Sequence, residues 1–237
     1  MFYLILFIFL SCWGSFITCC AWRLTHHYSL CIPYSFCDHC LTPLKPWQLI
    51  PLFGFIVQNS HCYFCKHVLP PTSFILEILL PLYGISLISQ NYYSTFSLLQ
   101  IFIILSWLLF LALQDYYTQT VSSFCLFSGY TFLLFPILNR TLTITNLIGT
   151  LSISLFLTLF VLLNMLGMGD LLLVNILSLL FNWYFVVYLI FLASCLAIIF
   201  RLMPNISTKK TFPFIPYLTL SCALLIFINT FYPLISM

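Results

Sequence analysis

The sequence predicts an all-α polytopic membrane protein, on three observations. The 237 residues are 63% hydrophobic and only 5% charged, more apolar surface than a water-soluble domain of this length can cover. The apolar stretches mostly approach the roughly 20 residues that a helix needs to cross a hydrocarbon core about 30 Å thick. They lack the period-two alternation of a membrane barrel. Backbone groups that find no water in lipid must therefore close their hydrogen bonds within helices.

Eight membrane helices are expected, at about 2–21, 73–89, 96–114, 121–138, 146–164, 171–181, 183–200 and 214–232. The first has the length of a signal peptide, but no basic residue precedes it and the first charge is Arg23. It is read as a helix that stays. The sixth has about a dozen residues before Asn182, short for a crossing. Its second reading is a half-helix, joined to the seventh by a tight turn at Phe181-Asn182-Trp183. With eight crossings, Arg23, Lys45, Lys66, Arg201, Lys209 and Lys210 fall on one side and only Arg140 on the other. That side is then cytoplasmic, and both termini face outward. The chain divides into a first helix (1–22), a cytoplasmic loop (23–72) and a helical bundle (73–237). A net charge of +3 is too small to suggest nucleic acid. The basic groups instead suit the anionic headgroups of membrane lipid.

The loop carries "CDHC" at Cys37–Cys40 and "CYFC" at Cys62–Cys65, with 21 residues between the pairs. Such turns each present two sulfurs on one side, and two of them complete the tetrahedron of a structural zinc site. A loop this small has little core, so metal would supply much of its folding free energy. Disulfides and unpaired thiols are the other readings, and a reducing cytoplasm disfavours the former. His39, His61 and His67 stand close enough in sequence to replace a thiolate or to be simply solvated. The remaining cysteines lie mostly in apolar runs and behave as small hydrophobes.

The chain has four acidic residues in all. Asp115 ends the third helix in "LALQDYYTQTVSS", and Asp170 opens the sixth in "NMLGMGDLLLV". Both fall at the cytoplasmic membrane face, where an acid is costly unless it has a partner or a task. Two carboxylates a few ångströms apart share one proton and titrate as a unit. The ionised member draws a proton from water while the protonated one polarises a carbonyl, which is aspartic-protease chemistry. Gly167 and Gly169 lack a Cβ, so the backbone can turn sharply there and an extended peptide can approach. The plainer reading makes Asp170 a helix cap and Gly-Met-Gly a loop.

On these residues the chain resembles the type IV prepilin leader peptidases, GxGD aspartic proteases of the bacterial inner membrane. "WGSFITCCAWRL" is similar to the end of the family's first helix. The cysteine-bearing loop through "PTSFILEILLPLYG" is similar to its cytoplasmic loop and second helix. "QDYYTQTVSS" and "GMGDLLLV" stand where the family carries its two catalytic aspartates, and "KKTFPFIPYL" is similar to its late loop. The resemblance implies that Asp115 and Asp170 are catalytic. It implies cleavage of a prepilin or pseudopilin leader, competence pseudopilins included, after a glycine at the cytoplasmic face. Methylation of the new N-terminus with S-adenosylmethionine would follow in many members.

Three positions depart from the family pattern. Leu172 stands where a lysine is usual, Thr120-Val121-Ser122 replaces an I-P-D step, and Ile215 replaces a glycine. The lost lysine keeps open an alternative: a catalytically inactive membrane scaffold or a pilus or secretion assembly factor. A proton- or ion-carrying transporter is a third reading, but it leaves the cysteine pairs unexplained. Glu77 either orients substrate or assists methyl transfer, or is a buried acid bonded to a neighbouring helix. Arg23 either binds substrate or fixes topology.

Overall fold

A computed structural model describes residues 1–90, 93, 95–132, 143–202 and 213–231. The topology argument's Arg140, Lys209 and Lys210, and the ends of the predicted fourth and eighth helices, lie outside the described residues. The helices are α1 (Phe2–Thr25), α2 (Phe53–Val57), α3 (Thr72–Ser89), α4 (Thr95–Thr118), α5 (Ser123–Phe132), α6 (Ile144–Leu162), α7 (Met168–Leu180), α8 (Trp183–Leu202) and α9 (Ile215–Phe231). A single 3-10 turn, Pro46–Leu49, precedes α2. No strand occurs among the described residues, only isolated bridges at Phe36–Pro43 and His61–Val68. The all-α polytopic architecture is therefore as expected. Among the described residues, five of the eight expected crossings are long and apolar enough to span a membrane: α1, α3, α4, α6 and α8. α7 and α9 are shorter apolar helices.

The chain forms two compact units, Met1–Phe102 and Ile103–Met237. In the first, α1 packs along α3. Ser11 Oγ donates to the Glu77 carbonyl at 2.9 Å. Gly14 lies so close to α3 that a Cβ there would sit 3.1 Å from the Leu76 carbonyl oxygen. Without a hydrophobic drive between helices in lipid, such small-residue contacts set how near two backbones come. Gly14→Val is therefore expected to destabilise the unit by about 1–3 kcal/mol, because a helix backbone cannot step aside as a side chain can. A lower melting temperature of the detergent-solubilised protein would show it.

The second unit is built around α7, whose Leu171, Leu173, Val174, Ile176, Leu177, Ser178 and Leu180 are all buried. Its interior is completed by Leu108 and Leu111 of α4, Phe185 and Leu189 of α8, and Ile215 and Leu218 of α9. Only Phe181 and Asn182 separate α7 from α8. Asn182 Oδ1 accepts from Asn146 Nδ2 at 3.1 Å and so ties this turn to α6.

Candidate active site

Asp115 is not at the end of its helix, as the sequence suggests, but inside the last turn. α4 runs on to Thr118, and Gln119 then takes a left-handed conformation (φ 56°). The Gln119 N–H bonds back to the Asp115 carbonyl at 2.8 Å. Next to it, Gln114 is 1% exposed. Its Oε1 accepts from the Ser122 N–H at 3.3 Å, fixing the start of α5 against the end of α4. Asp115 itself is buried, and its Oδ2 accepts the Ile215 N–H at 3.1 Å. Ile215 is the first residue of α9. The carboxylate therefore sits at a helix N-terminus, where unpaired N–H groups and the helix dipole both favour an anion.

Asp170 reaches its place through a different device. α6 closes with Asn164 in the left-handed region (φ 55°). Asn164 N–H bonds to the Val161 carbonyl and Met165 N–H to the Phe160 carbonyl, both at 2.9 Å. That pair of bonds is a Schellman closure, and asparagine tolerates its left-handed residue. α7 then starts with Gly167 as its N-cap (φ −72°, ψ 145°). Asp170 is thus not the cap but the third residue of the helix. Its half-buried carboxylate interacts with the Gly167 N–H, as the returning half of a capping box does.

The sharp turn expected at the glycines is not there. No described glycine has a positive φ, and the reversal is made by Asn164. A Cβ at Gly169 would meet only Leu126 at 3.8 Å, and one at Gly167 would stand 3.4 Å from Asp170 Oδ2. Among the described residues Gly167 is exposed.

The two carboxylates interact through their charges. Phe214 stands at both of them: its backbone N–H faces Asp115, and it lines a cavity of about 260 Å³ that Asp170 borders. Phe156, Leu157, Phe160, Val174 and Ile190 make the rest of that cavity largely apolar. No local pattern assigns a role to Phe214 or Ile215. The only signal was the similarity of their loop to a family motif, with Ile215 marked as a departure.

In the first unit the four cysteine sulfurs converge. Cys37, Cys40, Cys62 and Cys65 place their Sγ atoms within 4.8 Å of one another. The Cys37–Cys65 and Cys40–Cys62 separations are both 3.9 Å. A tetrahedron with Zn–S bonds of about 2.3 Å has edges near 3.8 Å, so the cluster fits zinc. The knuckles match in backbone as well. Cys37 N–H bonds to the Thr42 carbonyl and Cys62 N–H to the His67 carbonyl, with Leu41 (φ 56°) and Lys66 (φ 58°) left-handed at equivalent places. Burial pushes the Cys37 thiol up to about 12. The Thr42 hydroxyl, 2.9 Å from the Cys40 sulfur, brings that thiol down to about 6. The histidines stand outside the sulfur cluster: His39 and His67 stack on each other at 4.3 Å, and His61 bonds to the Asn59 carbonyl.

Glu77 and Arg23 belong to the same unit as the cysteines. Glu77 is buried, and its Oε2 accepts the Leu52 N–H at 2.7 Å. Leu52 has a positive φ of 62°, a conformation strained for leucine that this bond helps to hold. Arg23 donates to the Ile32 and Tyr34 carbonyls at 2.9 and 2.7 Å and lies over the Phe36 ring. It pins the start of the loop to the end of α1, a role beyond the two that the sequence suggested.

Comparison with known proteins covers most of the first unit and the second as far as Leu202. Residues 8–90 match the model of the bacterial peptidase A24 N-terminal domain, and residues 102–202 match that of the type IV leader peptidase family. A prepilin leader peptidase/N-methyltransferase of Bacillus subtilis (strain 168) is 40% identical over 63 residues, 27% of this chain and 25% of that protein. Its counterpart in Legionella pneumophila is 46% identical over 37 residues, 16% of this chain and 13% of the relative. One from Burkholderia pseudomallei (strain 1026b) is 36% identical over 39 residues, again 16% and 13%. The alignments thus span a quarter or less of these relatives' lengths, and no solved structure matches significantly. With one family model holding the four cysteines and the next holding both aspartates, the chain belongs to the type IV leader peptidase family.

Proposed function

We propose that the chain is an aspartic endopeptidase of the bacterial inner membrane that removes the leader of a prepilin or pseudopilin at the cytoplasmic face. The observation that carries this is that both carboxylates meet Phe214, whose backbone N–H faces Asp115 and which lines the cavity that Asp170 borders. One is held on a helix N-terminus; the other borders an apolar cavity. The ionised aspartate takes a proton from water as its oxygen attacks the peptide carbonyl carbon. The protonated aspartate donates to the carbonyl oxygen. The tetrahedral intermediate then collapses and the C–N bond breaks: the leaving nitrogen takes the proton drawn from water, and a hydroxyl of the intermediate returns its proton to the other aspartate, which restores the dyad. The cavity beside Asp170 suits an apolar substrate side chain next to the cut. Substrate choice and the cut after glycine come from the family resemblance. Methyl transfer with S-adenosylmethionine is inferred from the relatives' names alone. The four cysteines would hold structural zinc and order the loop around them.

The test is cleavage of a prepilin-like peptide by purified protein, read by product mass. An inactive scaffold would leave the peptide whole. The Ile215 N–H gives a sharper check. Proline is tolerated at the first position of a helix but has no N–H to donate. A hydrogen bond to a charged group is worth about 1.5–3 kcal/mol, so Ile215→Pro is expected to lower kcat by roughly 10- to 100-fold with KM little changed. Ile215→Ala keeps the donor and loses a side chain that is 1% exposed. It should cost about 2–5 kcal/mol of stability while retaining most of kcat below its melting point.

A further inference from the structure

We propose that residues 46–57, the 3-10 turn and α2, lie in the inner-leaflet interface as an in-plane lipid anchor for the cysteine loop. The segment has two faces. Gln48 and Gly54 are buried, and Phe55 stacks on Phe74 of α3 at 4.6 Å. Gln48 Nε2 donates to Gln58 Oε1 at 2.9 Å and Gln48 Oε1 accepts the Lys45 N–H at 2.7 Å. The inner face is thus polar and satisfied, or packed. The outer face is Leu49, Ile50, Phe53, Ile56 and Val57, which are between 46% and 61% exposed. A water-facing loop has no reason to present five large apolar side chains together.

The depth of this face follows from α3. That helix has 18 residues, about 27 Å at 1.5 Å per residue, against a hydrocarbon core of about 30 Å. It has no length to spare outside the membrane. Glu77 lies five residues into it, about 7–8 Å below its start. The Leu52 N–H bond to Glu77 and the Phe55–Phe74 stack therefore fix the segment beside the first two turns of a spanning helix. At that level the occupant of an outward apolar face is lipid. Monotopic helices sit about 5–10 Å into the boundary between headgroups and acyl chains. Exposed Lys45, the cap residue of the 3-10 turn, holds its ammonium over the Tyr63 ring at 5.3 Å and marks the polar edge of the segment on the side of the cysteine loop. Trp47 supplies the aromatic ring that favours this layer.

The experiment uses the full chain in nanodiscs of phosphatidylethanolamine and phosphatidylglycerol. They carry a phospholipid with a diazirine high on one acyl chain. After irradiation, labelled peptides are mapped by mass spectrometry; no enzymatic activity is needed. Label on residues 49–57 is expected within roughly threefold of that on exposed Ile8 and Phe9 of α1, because an interfacial helix sits at the probe's depth. Phe53→Ser with Ile56→Ser should remove most label from the segment and leave that on α1 unchanged. If this variant does not fold, the unmodified chain decides alone. Label on α1 with none on 49–57 overturns the proposal. So does an unlabelled segment that gains protection from hydrogen exchange when a prepilin-like peptide is added, since the face would then dock protein.

Discussion

Asp115→Asn and Asp170→Asn are each expected to lower prepilin-peptide cleavage by roughly a hundredfold to ten-thousandfold, the range that positioned proton transfer contributes. Asparagine matches aspartate in shape, and its amide oxygen can still accept the Ile215 N–H that Asp115 accepts at 3.1 Å. The fold should therefore persist, and melting temperatures close to the parent's would establish that. What the amide loses is the ability to take and return a proton. Because two carboxylates work as one unit, the double variant should be scarcely worse than either single one. Near-parental turnover in either variant would end the dyad reading. Equal loss with an unfolded protein would leave it to the Ile215 comparison, which keeps both carboxylates.

Protein purified under reducing conditions is expected to hold about one zinc per chain, the stoichiometry of a four-thiolate structural site. Cys37→Ser with Cys62→Ser should abolish it, since each knuckle then loses its buried sulfur. Structural zinc contributes about 10–16 kcal/mol to the folding of small metal-dependent segments. The loss should therefore appear as rapid proteolysis within residues 26–71, with the α1–α3 pair still protected. The pH dependence has a definite sign. Bound thiolates are held deprotonated by the metal, so occupancy falls as pH falls and protons compete for sulfur. Metal analysis across a pH series checks this; a reduced preparation without zinc would refute it.

Helix positions were legible because lipid makes them a matter of length and hydropathy. α1, α3 and α8 begin and end within a few residues of expectation. The knuckles were legible because cysteine spacing within a turn is local. Asp115 and Asp170 could be singled out because acids are so few. Their settings could not be foreseen. The partner of Asp115 is an N–H one hundred residues away, and no local pattern encodes it. Asn164 rather than a glycine makes the reversal before α7, since asparagine too tolerates the left-handed region. The attachments of Glu77 to Leu52 and of Arg23 to Ile32 and Tyr34 are likewise tertiary.

The brevity of α7 bears on the space within the bundle. Its 13 residues reach about 20 Å, some 10 Å less than the hydrocarbon thickness. α7 is enclosed by its neighbours and not by lipid, so the shortfall belongs to the interior of the bundle, where backbone at membrane depth can line a water-filled space. The first turn of an incoming helix would meet that water. There its backbone could fray from helical to extended, the shape in which a peptide bond can be cut.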